Sequence, residues 1–269
     1  MASLPLFSSS PSRTCHIRSI SFPTRSHHNV VQVEEELKNL KAWETSMSSV
    51  PTDAETFCTG LTCLERLYTC LDNLLNSHTT QQALSHYQHE KLVDELLVRS
   101  MKLLDVCGSV KDVVSQVKEH VRDIQSAQRR RKEDLSIDAS VLRKLKKNAK
   151  KAVTELKQIN QIYCAKAMNV EKHVSWVIMA VRDVSEVSVF VFGMLLLFMS
   201  VFISKLQSSS KWSVIGKIIP KGRLSGSKHD HQVCVEALDF HVEGIENGLA
   251  PVFRRLISTR ASLLNIQSN

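Results

Sequence analysis

The chain has 269 residues, 43% of them hydrophobic, with 8 glycines, 6 prolines and a net charge of +8. That length and apolar content can bury a real core, and so little glycine and proline excludes collagen-like and low-complexity chains. The charge is local: Arg129 to Lys151 holds ten basic residues against Glu133, Asp134 and Asp138, a net of +7, while the first thirty-three residues add Arg13, Arg18 and Arg25 and the rest nets −2.

Residues 1–29 are rich in serine, arginine and histidine and lack Asp and Glu. They read as a flexible tail, or as a plastid transit peptide, which has the same composition. From Pro51 to Pro220 the chain has no proline between, and only Gly60, Gly108, Gly193 and Gly216. Such a stretch is built of long helices, because the residues that punctuate short strands and turns are missing.

A first helix is expected from Val30 to about Met47, with Val33, Leu37, Leu40 and Trp43 on one face, and Pro51 stops the chain there. A second starts near Thr52 or Asp53 and carries Phe57, Leu61, Leu64, Leu67, Tyr68, Leu71 and Leu75. A third starts near Thr80 and carries Leu84, Tyr87, Leu92, Leu96, Met101 and Leu104, with Gly108 as its stop and Ser109 as the next N-cap. Val110, Val113, Val114, Val117, Val121 and Ile124 mark a fourth, where helical spacing outweighs β-branching. A fifth covers 136–165 around Val141, Leu142, Leu145, Ala149, Val153, Leu156 and Ile159, and a sixth covers 170–206. Residues 207–231 read as a mobile linker, and a last helical region covers 232–265, where Pro251 either kinks the helix or opens a new one. The expected fold is all-α: an antiparallel bundle of about six to seven long helices over 30–269, as a single domain behind the 1–29 disordered tail.

Three features bear on function. The run Val187–Ile203 is seventeen residues without a charge. It is read first as a buried bundle helix and alternatively as a membrane span, for which about 17–25 residues are needed. The basic segment comprises Arg129, Arg130, Arg131, Lys132, Arg143, Lys144, Lys146, Lys147, Lys150 and Lys151. Its readings are a solvated helix face, a two-part nuclear import signal, or a surface for anionic lipid. Nucleic acid is disfavoured, since no aromatic residues are interleaved with the lysines. In the tail, Arg18, Ser21 and Pro23 have the spacing of a phosphoserine motif read by 14-3-3 adaptors, where a dianionic phosphate meets arginines.

No nucleophile elbow, phosphate loop or H-E-x-x-H motif occurs. His86 with His89, and His229 and His231 with Cys234, fall short of four metal ligands. The seven cysteines are odd in number and show no C-x-x-C, so a reducing compartment without disulfides is expected. Gly244 and Gly248 form a small-xxx-small pair, but Glu243 and Glu246 beside them exclude a lipid setting.

Five ordered blocks resemble a plant-specific family grouped with BYPASS-like proteins. They are His16–His27, then Cys58-Thr59-Gly60-Leu61 with Leu64-Glu65 and Leu67-Tyr68, then Leu103–Gly108, Arg129–Arg131, and Phe253–Asn265. The resemblance implies a helical protein with no assigned activity, tied to root and shoot development, and it carries over no catalytic or cofactor-binding residue. The apolar run at 187–203 is stronger here than that family leads one to expect, and Pro251 stands where an acidic residue is usual. The expectation is a non-enzymatic interaction or scaffold protein without cofactor, partnered by other proteins and switchable by tail phosphorylation. The alternative is a membrane-associated protein held by 187–203. A cytoplasmic or membrane-associated location fits these readings first, a nuclear or plastid one second.

Overall fold

The computed structural model describes residues 24–47, 54–87, 91–130, 139–162, 170–207 and 228–268. Among them are seven helices and no strand: α1 (Thr24–Ser46), α2 (Ala54–Leu75), α3 (His78–Ser85), α4 (Lys91–Arg129), α5 (Ala139–Asn160), α6 (Lys172–Gln207) and α7 (Lys228–Ser268). At about 1.5 Å per residue, α4 and α7 are rods of roughly 60 Å. The stripes do what their spacing dictates. Val33, Leu37 and Leu40 of α1, Phe57 to Leu75 of α2, Val110 to Ile124 of α4 and Leu142 to Ile159 of α5 enter one contiguous core.

The long helices close a ring in the order α1, α2, α7, α4, α5, α6, with α6 also lying against α2 and α4. Helix α1 runs antiparallel to α2, and α4 to α5. Trp43 of α1 donates to the Thr56 carbonyl at the start of α2, while Asn29 donates to the Asn73 carbonyl near its end. On α4 and α5 the antiparallel pairs are Lys102 with Gln158, Ser109 with Glu155 and Gln116 with Asn148. Ring closure also makes two parallel contacts. Glu65 and Asp72 of α2, and Asn76 just past its end, meet Arg255, Thr259 and Ser262 of α7 in the same order. Glu34 and Lys41 of α1 meet Trp176 and Asp183 of α6.

Helix α6 touches α1, α2, α3, α4 and α5, which explains its apolar girth. Val191, Phe192, Leu195, Leu196, Met199 and Ile203 are buried, and among the described large apolar side chains of this run only Leu197 and Val201 are exposed. Among the described residues this is the helix long and apolar enough to cross a membrane, yet 61% of its most apolar window is buried in the bundle.

Four expectations are corrected. Helix α1 begins at Thr24, inside the zone read as tail, and Val30 already packs against the core. The third helix is two helices: α3 is capped by Ser77, whose hydroxyl accepts from the Thr80 amide, and α4 starts afresh at Lys91. Helix α4 then runs straight through Gly108 and Ser109. The Ser109 hydroxyl is turned sideways to Glu155, 3.0 Å away, and buried Cys107 and Val110 hold the backbone on either side. A glycine inside a helix costs only about 0.5–1 kcal/mol, less than that packing contributes. Met101 is exposed and Leu104 half-buried, because the inner face passes through Arg99, Ser100 and Leu103 instead. Helix α7 continues across Pro251, so that proline opens no new helix. The linker read at 207–231 falls mainly outside the described residues, as does Pro51; α6 reaches Gln207 and α7 begins at Lys228.

Candidate functional site

Buried polar groups here tie one helix to another. Tyr68 and Ser188 pair at 2.8 Å; the serine hydroxyl donates to the Val184 carbonyl, so the phenol donates to the serine. Burial pushes the Tyr68 phenol above its usual range, with the Ser188 bond opposing. Cys107 beside it is likewise pushed up to about 12 by burial. Glu95 of α4 accepts two bonds from Arg182 of α6, at 2.9 and 2.6 Å, and a longer one from Arg99. Lys118 of α4 donates to Glu246 of α7 at 2.7 Å, and that bond raises its pKa.

Three of the sequence blocks that carry the family resemblance, Cys58–Tyr68, Leu103–Gly108 and Phe253–Asn265, meet in space. Gly60 receives the Trp43 ring, and Gly248 of α7 lies against Leu61. Gly244 approaches Cys58 in the same seam, so the small-xxx-small pair is a close helix contact within the core. Glu65 faces Arg255 at 3.7 Å. Phe253 covers Gly108 on one side, and its ring carries Lys111 Nζ 4.4 Å from the centroid. Arg260 donates to the Leu97 carbonyl. The polar residues of Phe253–Asn265 therefore serve the joint of α2, α4 and α7. Among the described residues no group of three His, Cys, Asp or Glu side chains comes together. His86 caps α3 and stands outside any such group; His89 lies outside the described residues, as do the side chains of His229, His231 and Cys234. Cys58, Cys63, Cys70 and Cys107 are free thiols.

What the packing leaves over is the outer face of α5. Leu142, Leu145, Ala149, Ala152, Leu156 and Ile159 form its buried stripe. At 100° per residue, Arg143, Lys144, Lys147, Lys150, Lys151 and Lys157 occupy an arc of about 140° centred opposite that stripe. All six are exposed, and Lys146 is half-buried at the margin. Helix α5 holds seven basic residues and one acid, Glu155, a net of +6. Glu155 sits at the edge of the arc, accepts from Ser109, and lies 3.6 Å from Lys151. Among the described residues no acid pairs with Lys144, Lys147 or Lys150. Elsewhere Lys41, Arg66, Lys118, Arg122 and Arg255 each face a carboxylate.

Arg129 and Arg130 are exposed at the end of α4, on the end of the bundle where α5 begins. Arg131 and Lys132 lie outside the described residues, and so do Arg18, Ser21 and Pro23. The sequence reading stopped the basic segment at Lys151 and missed Lys157; carrying the helical period one and a half turns further finds it. It also missed the Glu95–Arg99–Arg182 cluster, whose members are joined only by the fold.

No curated protein and no solved structure matches the chain. A family model, Protein BPS1, matches residues 60–266, from the first turns of α2 to the last turn of α7. This takes in four of the five blocks at least in part and well over half of the chain. A helical bundle in which three of the shared blocks form the joint of α2, α4 and α7 thus belongs to the Protein BPS1 family, a BYPASS-related plant family linked to development.

Proposed function

We propose that this protein works without catalysis, as an interaction module of plant development that offers the basic face of α5 to an anionic partner. The observation that carries this reading is the density of charge on α5: a net of +6 on one helix, with Lys144, Lys147 and Lys150 in an exposed row. Packing accounts for the buried polar groups, and it draws Lys144, Lys147 and Lys150 into no ion pair among the described residues. A chemical site needs convergent groups held in a dry cleft; the lysines instead spread over a convex helix. A phosphorylated Ser21, paired with Arg18 and followed by Pro23, would give the tail a second contact, a 14-3-3 adaptor. The root and shoot setting remains part of the proposal.

The test is retention of the full chain on a heparin column. The wild type is expected to elute at high salt, and K144Q/K147Q/K150Q much earlier. Equal elution of the two proteins would remove the α5 face from the reading. Insertion of residues 187–203 into a bilayer is the competing view. Against it stands the position of α6, which would have to abandon its neighbours α1, α2, α3, α4 and α5. Release of the protein from membranes by carbonate is the expected result.

A further inference from the structure

The anionic partner can be narrowed, on the assumption that the interaction reading above holds. We propose that the α5 face docks the intact bundle onto an anionic lipid surface as a peripheral contact.

The first argument is energetic. Arg143 with Lys147, Lys144 with Lys147, Lys147 with Lys150 and Lys147 with Lys151 are like charges three or four residues apart, an arrangement that weakens a helix. The first turn of α5 holds no acid to offset Arg143, Lys144, Lys146 and Lys147, which follow it. Stability of the free protein does not explain this row. A surface that supplies negative charge does.

The second argument is shape. Helix α5 is sunk to half its girth between α4 and α6, with Leu145, Ala152 and Leu156 inside. Flanked in this way by α4 and α6, the helix offers one broad outer face. Its charges run about 21 Å along the axis and lie within one arc, which suits a plane. The third argument is chemical. Six of the seven basic residues of α5 are lysines. Lysine is a compact, mobile point charge, whereas fixed recognition of carboxylate or phosphate on a protein favours the planar fork of arginine. A fluid anionic leaflet asks for charge density and not for fixed geometry.

The experiment is co-sedimentation of the full chain with vesicles of phosphatidylcholine and phosphatidylserine at about 3:1, and with phosphatidylcholine alone. Binding is expected to the first and not to the second. It should vanish near 1 M salt, where the Debye length falls to about 3 Å. K144Q/K147Q/K150Q should lose binding by about 100-fold, while K144R/K147R/K150R keeps it. The glutamine variant should melt no lower than the wild type, which separates lost docking from lost folding. Equal binding to neutral vesicles, or unchanged binding by the glutamine variant, overturns the proposal. So does heparin retention that depends on α5 without binding to phosphatidylserine, and that outcome leaves the interaction reading standing with a protein partner. Failure of both assays sinks both readings.

Discussion

The indole of Trp43 occupies the place where a side chain at residue 60 would begin: a Cβ on Gly60 would lie 2.5 Å from Trp43 Cζ2 and 2.8 Å from Cε2. The ring is fixed there by its N–H bond to the Thr56 carbonyl and by an edge-on contact with Phe190 of α6. Gly60→Ala is therefore expected to lose about 1–3 kcal/mol of stability from overpacking, against a helix-propensity gain of at most ~1 kcal/mol. The loss should shrink when Trp43 is also made Leu, a coupling that a double-mutant cycle reads directly. Gly108 offers the opposite case. A Cβ there would meet only Phe253 Cε2 at 3.9 Å, an ordinary contact. Gly108→Ala should stabilise the protein by about 0.5–1 kcal/mol. Urea midpoints of the two variants that move the same way would contradict this account.

Thr80 Oγ1 lies 3.1 Å from His173 Nε2, joining α3 to the start of α6. Burial lowers the His173 pKa from 6.5, with the nearby Glu171 charge opposing. In the unfolded chain the imidazole takes its proton near pH 6.5, whereas the folded protein resists it. Below that pH the unfolded state binds more protons, so stability falls as pH drops from about 6.5 toward the lowered folded value and then levels off. The wild type should lose stability over this window more steeply than His173→Gln. Parallel pH profiles of the two proteins would show that His173 does not titrate differently on folding.

Asp72 and Thr259 form the buried tie between α2 and α7, with the threonine hydroxyl donating at 2.5 Å and Asp72 Oδ2 buried without a bond. Burial raises the carboxyl pKa above its ordinary value, while Thr259, Ser258 and the Arg255 charge pull it down. A raised carboxylate pKa means stability that is complete in acid and lost as pH rises through the folded value. Asp72→Asn keeps an acceptor for Thr259 and has no charge to desolvate. At neutral pH it should equal or exceed the wild type, by up to about 1 kcal/mol, and the advantage should fade in acid. Asp72→Ala strands the Thr259 hydroxyl and should lose about 1–3 kcal/mol at either pH. Chemical denaturation at two pH values checks all three.

The features legible in the sequence were those with a period. Val33 to Leu40, Phe57 to Leu75 and Val110 to Ile124 are runs in which spacing alone names the buried face, and the basic arc of α5 follows from the same rule applied to lysines. What stayed hidden depends on partners far along the chain. Arg99 and Ser100 sit on the inner face of α4, and their polarity made Met101 and Leu104 look like the continuation of the stripe. Only the arrival of Arg182, eighty-seven residues beyond Glu95, makes that polar turn a core position. Gly108 misled for the same reason. Its use as a shallow seat for Phe253 of α7 is a long-range fact, while its local chemistry says helix end. The parallel contact of α2 with α7 joins segments nearly two hundred residues apart and has no local signature.

The Glu95 cluster yields an asymmetric prediction. The carboxylate is 3% exposed and lies between Arg99, 4% exposed, and Arg182, 17% exposed. Two guanidinium groups thus share one anion in a place with little water to screen them. Deleting the anion by Glu95→Gln removes the charge that these two guanidinium groups share in a place with little water, and a loss of about 3–5 kcal/mol is expected. Deleting one cation by Arg182→Met leaves Glu95 with Arg99 four residues away, so the remaining pair is neutral and the thioether fills the stem's volume. That loss should be smaller, about 1–3 kcal/mol, drawn from the two lost hydrogen bonds. The double variant Glu95→Gln, Arg182→Met should recover part of what Glu95→Gln alone forfeits, because it removes one of the stranded charges. Thermal or urea unfolding of the three proteins ranks them, and a double variant weaker than the sum of its parts would show that packing, and not charge, governs this turn of α4.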